Sequence, residues 1–175
     1  MAAPIARLST TAVAEPTLRN CSRRQLGGDT GRAPESSGEE NDLPSGTKED
    51  PWALTTPPGT SDYTMYKDDE ADPPTLVCQV GSTTLRYQLR AVEDLHAWLV
   101  EQGDWVVLGA ADEKKPAAEG TVEAWGRSTD NPVGGWYGLR KGYRGRFALY
   151  LPPLLEALGL AEVTHNPRNN SMRAL

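Results

Sequence analysis

The 175-residue sequence predicts a small α+β domain that follows a disordered N-terminal extension. Three observations lead to this class: a hairpin pattern centred on Gly81, an amphipathic helical pattern over residues 91–102, and a change of composition near residue 45. Hairpin and helix must bury their apolar faces against each other. We therefore expect a small antiparallel or mixed sheet packed with a few helices.

Residues 1–45 are predicted to be a disordered extension and residues 46–175 a single compact domain. A low-complexity run, GGDTGRAPESSGEENDLPSG, occupies the end of the extension up to the boundary at Gly46 and holds too little apolar surface for a core. The first residues are rich in arginine but lack the apolar segment of a secretion signal. Deleting residues 1–44 is expected to leave the melting temperature of the domain nearly unchanged.

Composition excludes two classes of protein. No apolar run approaches the roughly 18 residues of a membrane span, so no membrane partner is expected. Cys21 and Cys78 are too few for a disulfide framework and lack metal-ligand spacing. We therefore expect a soluble cytoplasmic chain with no metal and no cofactor.

The segment TLVCQVGSTTLRYQL, residues 75–89, alternates apolar and polar residues on both sides of Gly81-Ser82. Glycine in the first loop position favours a type II′ turn, which pairs Val80 with Thr83. This register places one set of side chains on the core face of the hairpin: Leu76, Cys78, Val80, Leu85, Tyr87 and Leu89.

Residues 91–102 repeat apolar side chains at helical spacing, and Gly103 follows where a helix commonly ends. The apolar run Trp105 to Leu108 then predicts a short buried strand that joins the sheet of the hairpin. A short helix is expected at residues 121–125 with Thr121 as its N-cap.

Residues 131–145 contain five glycines and predict an ordered glycine-rich loop. A helix is expected to begin near Arg146, and Pro152-Pro153 should kink it or open a second helix. Gly159 ends that helix. The segments AEVTH and SMRAL then pair as strands around the turn at residues 166–170, an order of elements that resembles the second half of a winged helix.

Three segments carry a family resemblance: KEDPWALTTPPGTSDYTMY, NPVGGWYGLRKGYRGRF and LLEALGLAEVTHNPRNNSMRAL. Together they resemble an uncharacterised family of small soluble bacterial proteins, a domain of unknown function, over about residues 46–175. The resemblance implies a compact domain in a bacterial cytoplasm. It implies no activity and no site residues.

The glycine-rich loop mixes rings and cations, a combination that single-stranded nucleic-acid grooves use for stacking and phosphate contact. The candidate binding residues of this segment and of the C-terminal hairpin are Trp136, Tyr137, Arg140, Lys141, Tyr143, Arg144, Arg146, His165, Arg168 and Arg173. The leading hypothesis is thus a binding module for an anionic partner, either nucleic acid or an acidic protein.

Charge distribution offers a second interpretation of the same residues. The chain carries a net charge of −6, and residues 48–130 are strongly acidic. The cations of the loop therefore have many intramolecular partners, and the overall field opposes general nucleic-acid binding. The segment LPPLLEALGL offers only Glu156 as a polar side chain for reading bases.

The alternative hypothesis is a small enzyme or small-molecule binder with a pocket at residues 131–145. His165 and Glu123 are its candidate proton-transfer groups. No complete nucleophilic triad is expected, because His96 and His165 are the only histidines and neither has an evident nucleophile beside it.

Overall fold

The computed structural model describes residues 44–175. The disordered extension was predicted over residues 1–45, and residues 1–43 of it lie outside the described residues. The elements in chain order are β1 (Trp52–Thr55), β2 (Asp62–Asp68), β3 (Thr75–Val80), β4 (Thr83–Gln88), α1 (Ala91–Gln102), β5 (Val106–Val107), α2 (Val122–Trp125), α3 (Phe147–Ala157), β6 (Ala161–Val163) and β7 (Ser171–Ala174). The α+β class is confirmed.

Strands β1 to β4 form one antiparallel sheet in sequential order, here called the meander sheet. Its β3–β4 hairpin has the expected register, with Val80 opposite Thr83. Gly81 has a φ of 54°, as the first loop position of a type II′ turn requires. Of the predicted core face, Leu76, Cys78, Leu85 and Tyr87 are buried, while Val80 and Leu89 are only partly buried. Val77 on the other face is buried as well.

Strands β5, β7 and β6 form a second antiparallel sheet in that order, here called the small sheet. The run Trp105 to Leu108 supplies β5, but β5 pairs with β7 and not with the hairpin. The expectation of one shared sheet is therefore wrong. Strand pairing is decided by long-range packing, which a short apolar run does not encode.

Two predicted helix ends are confirmed. Gly103 ends α1 in the left-handed conformation and donates its N–H to the Leu99 carbonyl. The Thr121 hydroxyl oxygen accepts the Ala124 N–H at the start of α2. No helix of residues 44–175 is long and apolar enough to cross a membrane.

Helix α3 is a single helix that contains both Pro152 and Pro153, so the second helix considered from the sequence does not form. It is buried along nearly its whole length and contacts both sheets. The Tyr63 hydroxyl of the meander sheet donates to the Tyr150 carbonyl at 2.8 Å, which ties α3 to that sheet. A helix that is apolar on all sides belongs to the core.

The series α1, β5, α2, α3, β6, β7 with the strand order β5-β7-β6 has the connectivity of a winged helix. The resemblance therefore extends beyond the segment 146–175 from which it was predicted. In this chain the meander sheet covers α3, the helix that would enter a DNA groove. The chain therefore has the element order of a winged helix, but α3 is not exposed for contact with DNA.

Candidate ligand pocket at the glycine-rich loop

The glycine-rich loop is ordered because it packs against two other parts of the chain. Gly138 forms a β-bridge with Tyr87 at the edge of β4. Gly145 lies so close to the backbone of Asp112 and Glu113 that a Cβ atom would collide with it. The Arg146 N–H donates to the Ala111 carbonyl at 2.8 Å. Residues 138–146 and 111–115 therefore form two adjoining walls.

A pocket of about 540 Å³ opens between these walls and the β3–β4 hairpin. We call it the loop pocket. Its lining residues are Val80, Thr83, Leu85, Asp112, Glu113, Lys114, Lys115, Gly142, Tyr143, Gly145, Arg146 and Tyr150. The lining thus combines mostly apolar residues of the hairpin and α3 with charged residues of two loops.

Two ion pairs join the loop walls. The Arg144 guanidinium donates to Glu113 at 2.7 Å, and the Arg144 backbone N–H donates to the other oxygen of the same carboxylate at 2.9 Å. The Arg146 guanidinium lies 2.5 Å from Asp112. These bonds lower the pKa of Glu113 to about 2, and hydrogen bonding to Arg146 also lowers the pKa of Asp112.

Lys114 and Lys115 are the cations of the loop pocket that form no ion pair with a described residue. Both are exposed on a turn that the Lys115 N–H closes by donating to the Asp112 carbonyl at 3.0 Å. They were not among the candidates from sequence. Two adjacent lysines in a charged loop indicate a binding site only weakly in a sequence, because such pairs are common on protein surfaces.

Tyr143 lies at the pocket mouth with 44% of its surface exposed. The Arg140 guanidinium stacks on its ring at 4.2 Å and donates to the Thr84 carbonyl of β4 at 3.0 Å. The position of the ring is thereby fixed relative to the meander sheet. Lys141 is exposed beside these residues but does not line the pocket.

Tyr137 belongs to the core, which corrects its prediction as a ring for ligand stacking. It is fully buried, and its ring centroid lies 5.4 Å from those of Trp125 and Phe147. Its hydroxyl donates to Asp94 at 2.9 Å. Burial and this bond raise the pKa of Tyr137. Its aromatic ring therefore packs in the core and is not available to stack on a ligand.

Trp136 is half-buried, and two guanidinium groups lie over its ring, with Arg127 at 4.4 Å and Arg144 at 4.8 Å from the ring centre. The ring therefore already makes cation–π contacts within the chain. Arg127 in turn donates to the Ala111 and Lys115 carbonyls, at 2.9 Å each. Through Arg127 and Arg144, Trp136 thus contacts side chains that hold the loop walls together.

Glu123 is fully buried and pairs with Arg127, and its other oxygen accepts the Ala148 N–H at 2.9 Å. Burial raises the pKa of this carboxyl, while the two donors oppose that rise. The Glu123 carboxylate holds the first turn of α3 in place. It does not line the loop pocket, so the proton-transfer role considered from sequence has no geometric basis.

The three C-terminal candidates lie apart from the loop pocket. His165 contacts the Glu156 carboxylate at 2.9 Å and the Pro57 carbonyl at 3.3 Å. Arg173 donates to Glu162 at 2.7 Å and lies over the Trp105 ring. Arg168 is exposed on the turn between β6 and β7. All three residues lie on or near the β6–β7 hairpin, and this hairpin does not line the loop pocket.

A second pocket of about 510 Å³ lies between β1, the turn before β3 and the start of α1. Its floor is apolar, and its charged residues are Lys67, Asp69, Arg90 and Glu93. Arg90 pairs with Asp94, so Lys67 is the remaining cation of this pocket and is outnumbered by Asp69 and Glu93. The loop pocket differs because pairing among the described residues leaves two lysines without an acidic partner.

Comparison with known proteins gives one family match. The family of unknown function DUF6855 matches residues 44–175. The match begins two residues before the range 46–175 over which the sequence resembles such a family. No curated protein and no solved structure matches the chain.

Proposed function

The chain belongs to DUF6855, a family of unknown function, and for this member we propose a binding module that takes a small anionic molecule into the loop pocket. One observation carries this proposal. The loop pocket combines a mouth ring, Tyr143, with two cations, Lys114 and Lys115, that form no ion pair with a described residue.

Rigidity of the two walls supports the proposal. The Glu113–Arg144 and Asp112–Arg146 pairs, with the close packing of Gly145, connect the walls at several points. A ligand then binds without first ordering a loop, which removes part of the entropic cost of association. Pockets with apolar walls and a few placed polar groups are the usual form of small-molecule sites.

The proposal joins the two hypotheses from sequence in one place. It keeps the anionic partner of the first and the pocket of the second. Among the ten predicted residues, Tyr143 and Arg146 line the loop pocket. Arg144 and Arg140 support its walls through Glu113 and Tyr143, respectively. We infer no catalytic step, because neither His165 nor Glu123 reaches the pocket.

Nucleic-acid binding receives less support from the same geometry. Arg144 and Arg146 are paired with acidic residues, Tyr137 is in the core, and α3 is covered. A phosphate backbone would have to break those pairs in a protein of net charge −6. An acidic protein partner would meet the same obstacle.

The test uses the full chain with isotope labels and a panel of small carboxylates, phosphates, neutral aromatics and amines. Anions are expected to shift the amide resonances of residues 112–115 and 142–146 in saturable titrations. Thr83→Trp fills the loop pocket and should abolish these shifts. Thr84→Trp is the matched control, because the neighbouring strand residue points to the opposite face of the hairpin.

Three results would overturn the proposal. The first is an absence of saturable shifts with every anion, and the second is unchanged binding in the Thr83→Trp variant. The third is a mobility shift with single-stranded DNA, duplex DNA or RNA at physiological salt that an Arg144→Ala/Arg146→Ala variant loses. That result would favour nucleic acid over a small molecule.

We also propose that the chain acts in a bacterial cytoplasm. The low cysteine content supports a reducing compartment, since two cysteines are too few for the disulfide framework of a small secreted domain. A tagged chain expressed in a bacterium should remain with the cytoplasmic fraction after osmotic shock. Release with the periplasmic fraction would contradict this location.

A further inference from the structure

We propose that the natural ligand of the loop pocket is a phosphate monoester carried on an aromatic or other planar apolar body. This inference rests on the proposed function and specifies the ligand class for the same pocket. Three observations support it: the charge that remains in the pocket after ion pairing, the adjacent positions of Lys114 and Lys115, and the apolar part of the pocket lining.

The charge count indicates a dianion. Within the pocket lining the carboxylates are Asp112 and Glu113, and each is neutralised by one arginine, Arg146 and Arg144 respectively. Two positive charges remain, on Lys114 and Lys115. A group of charge −2 matches them, whereas a single carboxylate or a sulfate monoester carries one negative charge and leaves one ammonium without a counter-charge.

The placement of the lysines indicates one compact group. Lys114 and Lys115 are adjacent residues of the same turn, and both line the pocket. Two ammonium groups that start from neighbouring Cα atoms suit the oxygens of one phosphate better than two carboxylates held apart on a ring. A phosphate monoester carries about −1.5 to −2 charges near pH 7.

The apolar part of the lining indicates an apolar body. Val80, Leu85 and the buried Tyr150 belong to this part, and the exposed Tyr143 also lines the pocket. A planar ring attached to the phosphate would contact these residues and stack on Tyr143. Inorganic phosphate has no such contacts, so it should bind more weakly than an aryl ester.

The experiment compares four probes on the full chain at pH 7.5: phenyl phosphate, phenyl sulfate, isophthalate and inorganic phosphate. Phenyl phosphate and phenyl sulfate have nearly the same shape but differ by one negative charge. We expect phenyl phosphate to bind about tenfold more tightly than phenyl sulfate, and more tightly than the other two probes. Dissociation constants come from amide shift titrations of residues 112–115.

Single substitutions identify which side chains contact the probes. Lys114→Gln and Lys115→Gln should each weaken phenyl phosphate binding by about three- to tenfold while changing phenyl sulfate binding less. Tyr143→Ala should weaken binding of the three probes that carry a benzene ring and leave inorganic phosphate binding unaffected. Lys48→Gln is the matched control, because Lys48 is exposed and does not line the pocket.

A pH series adds an independent readout. Phenyl phosphate affinity should fall as the pH decreases through the second ionisation of the ester near 6, since the dianion becomes a monoanion. Phenyl sulfate remains a monoanion over this range, so its affinity should not change in parallel.

The outcomes separate this inference from the proposed function. Equal affinity for phenyl phosphate and phenyl sulfate, or tighter binding of isophthalate, would overturn the phosphate monoester while leaving an anion pocket in place. Failure of all four probes together with the wider anion panel would overturn the proposed function itself.

Discussion

Arg146 shows how one residue of the loop pocket departs from ordinary backbone preference. Its φ of 61° and ψ of 25° lie in the left-handed region, which costs a non-glycine residue about 1 to 2 kcal/mol. In this conformation its N–H donates to the Ala111 carbonyl and its guanidinium donates to the Asp112 carboxylate. Strain of this kind is concentrated at sites where the side chain has a function.

Replacing Arg146 separates backbone strain from side-chain contacts. Both Arg146→Gly and Arg146→Ala remove the pair with Asp112, but only glycine relieves the left-handed conformation. The glycine variant should therefore be more stable than the alanine variant by about 1 kcal/mol. Urea denaturation measures the difference. Equal stabilities would show that this residue shifts to an unstrained backbone.

Glu113 makes stability depend on pH in a defined direction. Its pKa falls from an ordinary value of 4.5 to about 2 in the folded chain. The folded state therefore favours the ionised carboxyl, and this contribution is present above pH 4.5 and is lost as the pH falls towards 2.

The Glu113→Gln variant tests this linkage. It should be less stable than the parent chain by about 1 to 2 kcal/mol at pH 7, because the bonds to Arg144 lose their charge. The difference should shrink between pH 4.5 and 2. Chemical denaturation at a series of pH values provides the measurement. A constant difference across the series would contradict the linkage.

At the scale of elements, the two loop walls have no regular secondary structure and are held by contacts between residues far apart in sequence. Gly145 is the tightest of these contacts, since its Cα lies against the backbone of Asp112 and Glu113. Gly135 provides a contrast within the same loop. A Cβ atom there would meet nothing within 4 Å, and neither glycine has a positive φ.

Alanine substitutions at these two glycines should have different effects. Gly145→Ala should lower the free energy of unfolding by about 2 kcal/mol or more, because backbone has to move. It should also abolish anion-induced shifts at residues 112–115. Gly135→Ala should stay within about 0.5 kcal/mol of the parent and keep those shifts. Similar stability of both variants would indicate that the walls separate easily.

At the scale of the whole molecule, α3 is the element that both sheets share. It contacts β1 of the meander sheet and β6 of the small sheet, and Leu151 near its centre is fully buried. A common core of this kind makes the stability of one sheet depend on the other. The described domain should therefore unfold as one cooperative unit.

Leu151→Ala tests this dependence. The substitution should cost about 2 to 5 kcal/mol through lost burial and the remaining cavity. Protection of amides in β3 and in β7 against hydrogen exchange should fall together, and circular dichroism and tryptophan fluorescence should report the same midpoint. Loss of protection in only one sheet would show that the two sheets unfold separately.

The sequence alone determined the elements that depend on local patterns. Alternation around Gly81 predicted the β3–β4 hairpin with its register, and spacing with end signals predicted α1 and the Thr121 cap. The start of α3 and the strands on either side of the 166–170 turn were also predicted. Each of these features is specified by residues within one element or one turn.

Only the tertiary structure decided the partners across long separations in sequence. It paired β5 with β7, buried Tyr137, covered α3 with the meander sheet, and assigned Arg144 and Arg146 to carboxylates 31 and 34 residues away. Among the residues that the structure describes, the same pairing left Lys114 and Lys115 as the cations of the pocket without an acidic partner. A ring or a cation has the same local sequence signature whether it packs, pairs or binds. Its role is fixed by which distant residues the fold brings beside it, because burial and pairing energies depend on those neighbours.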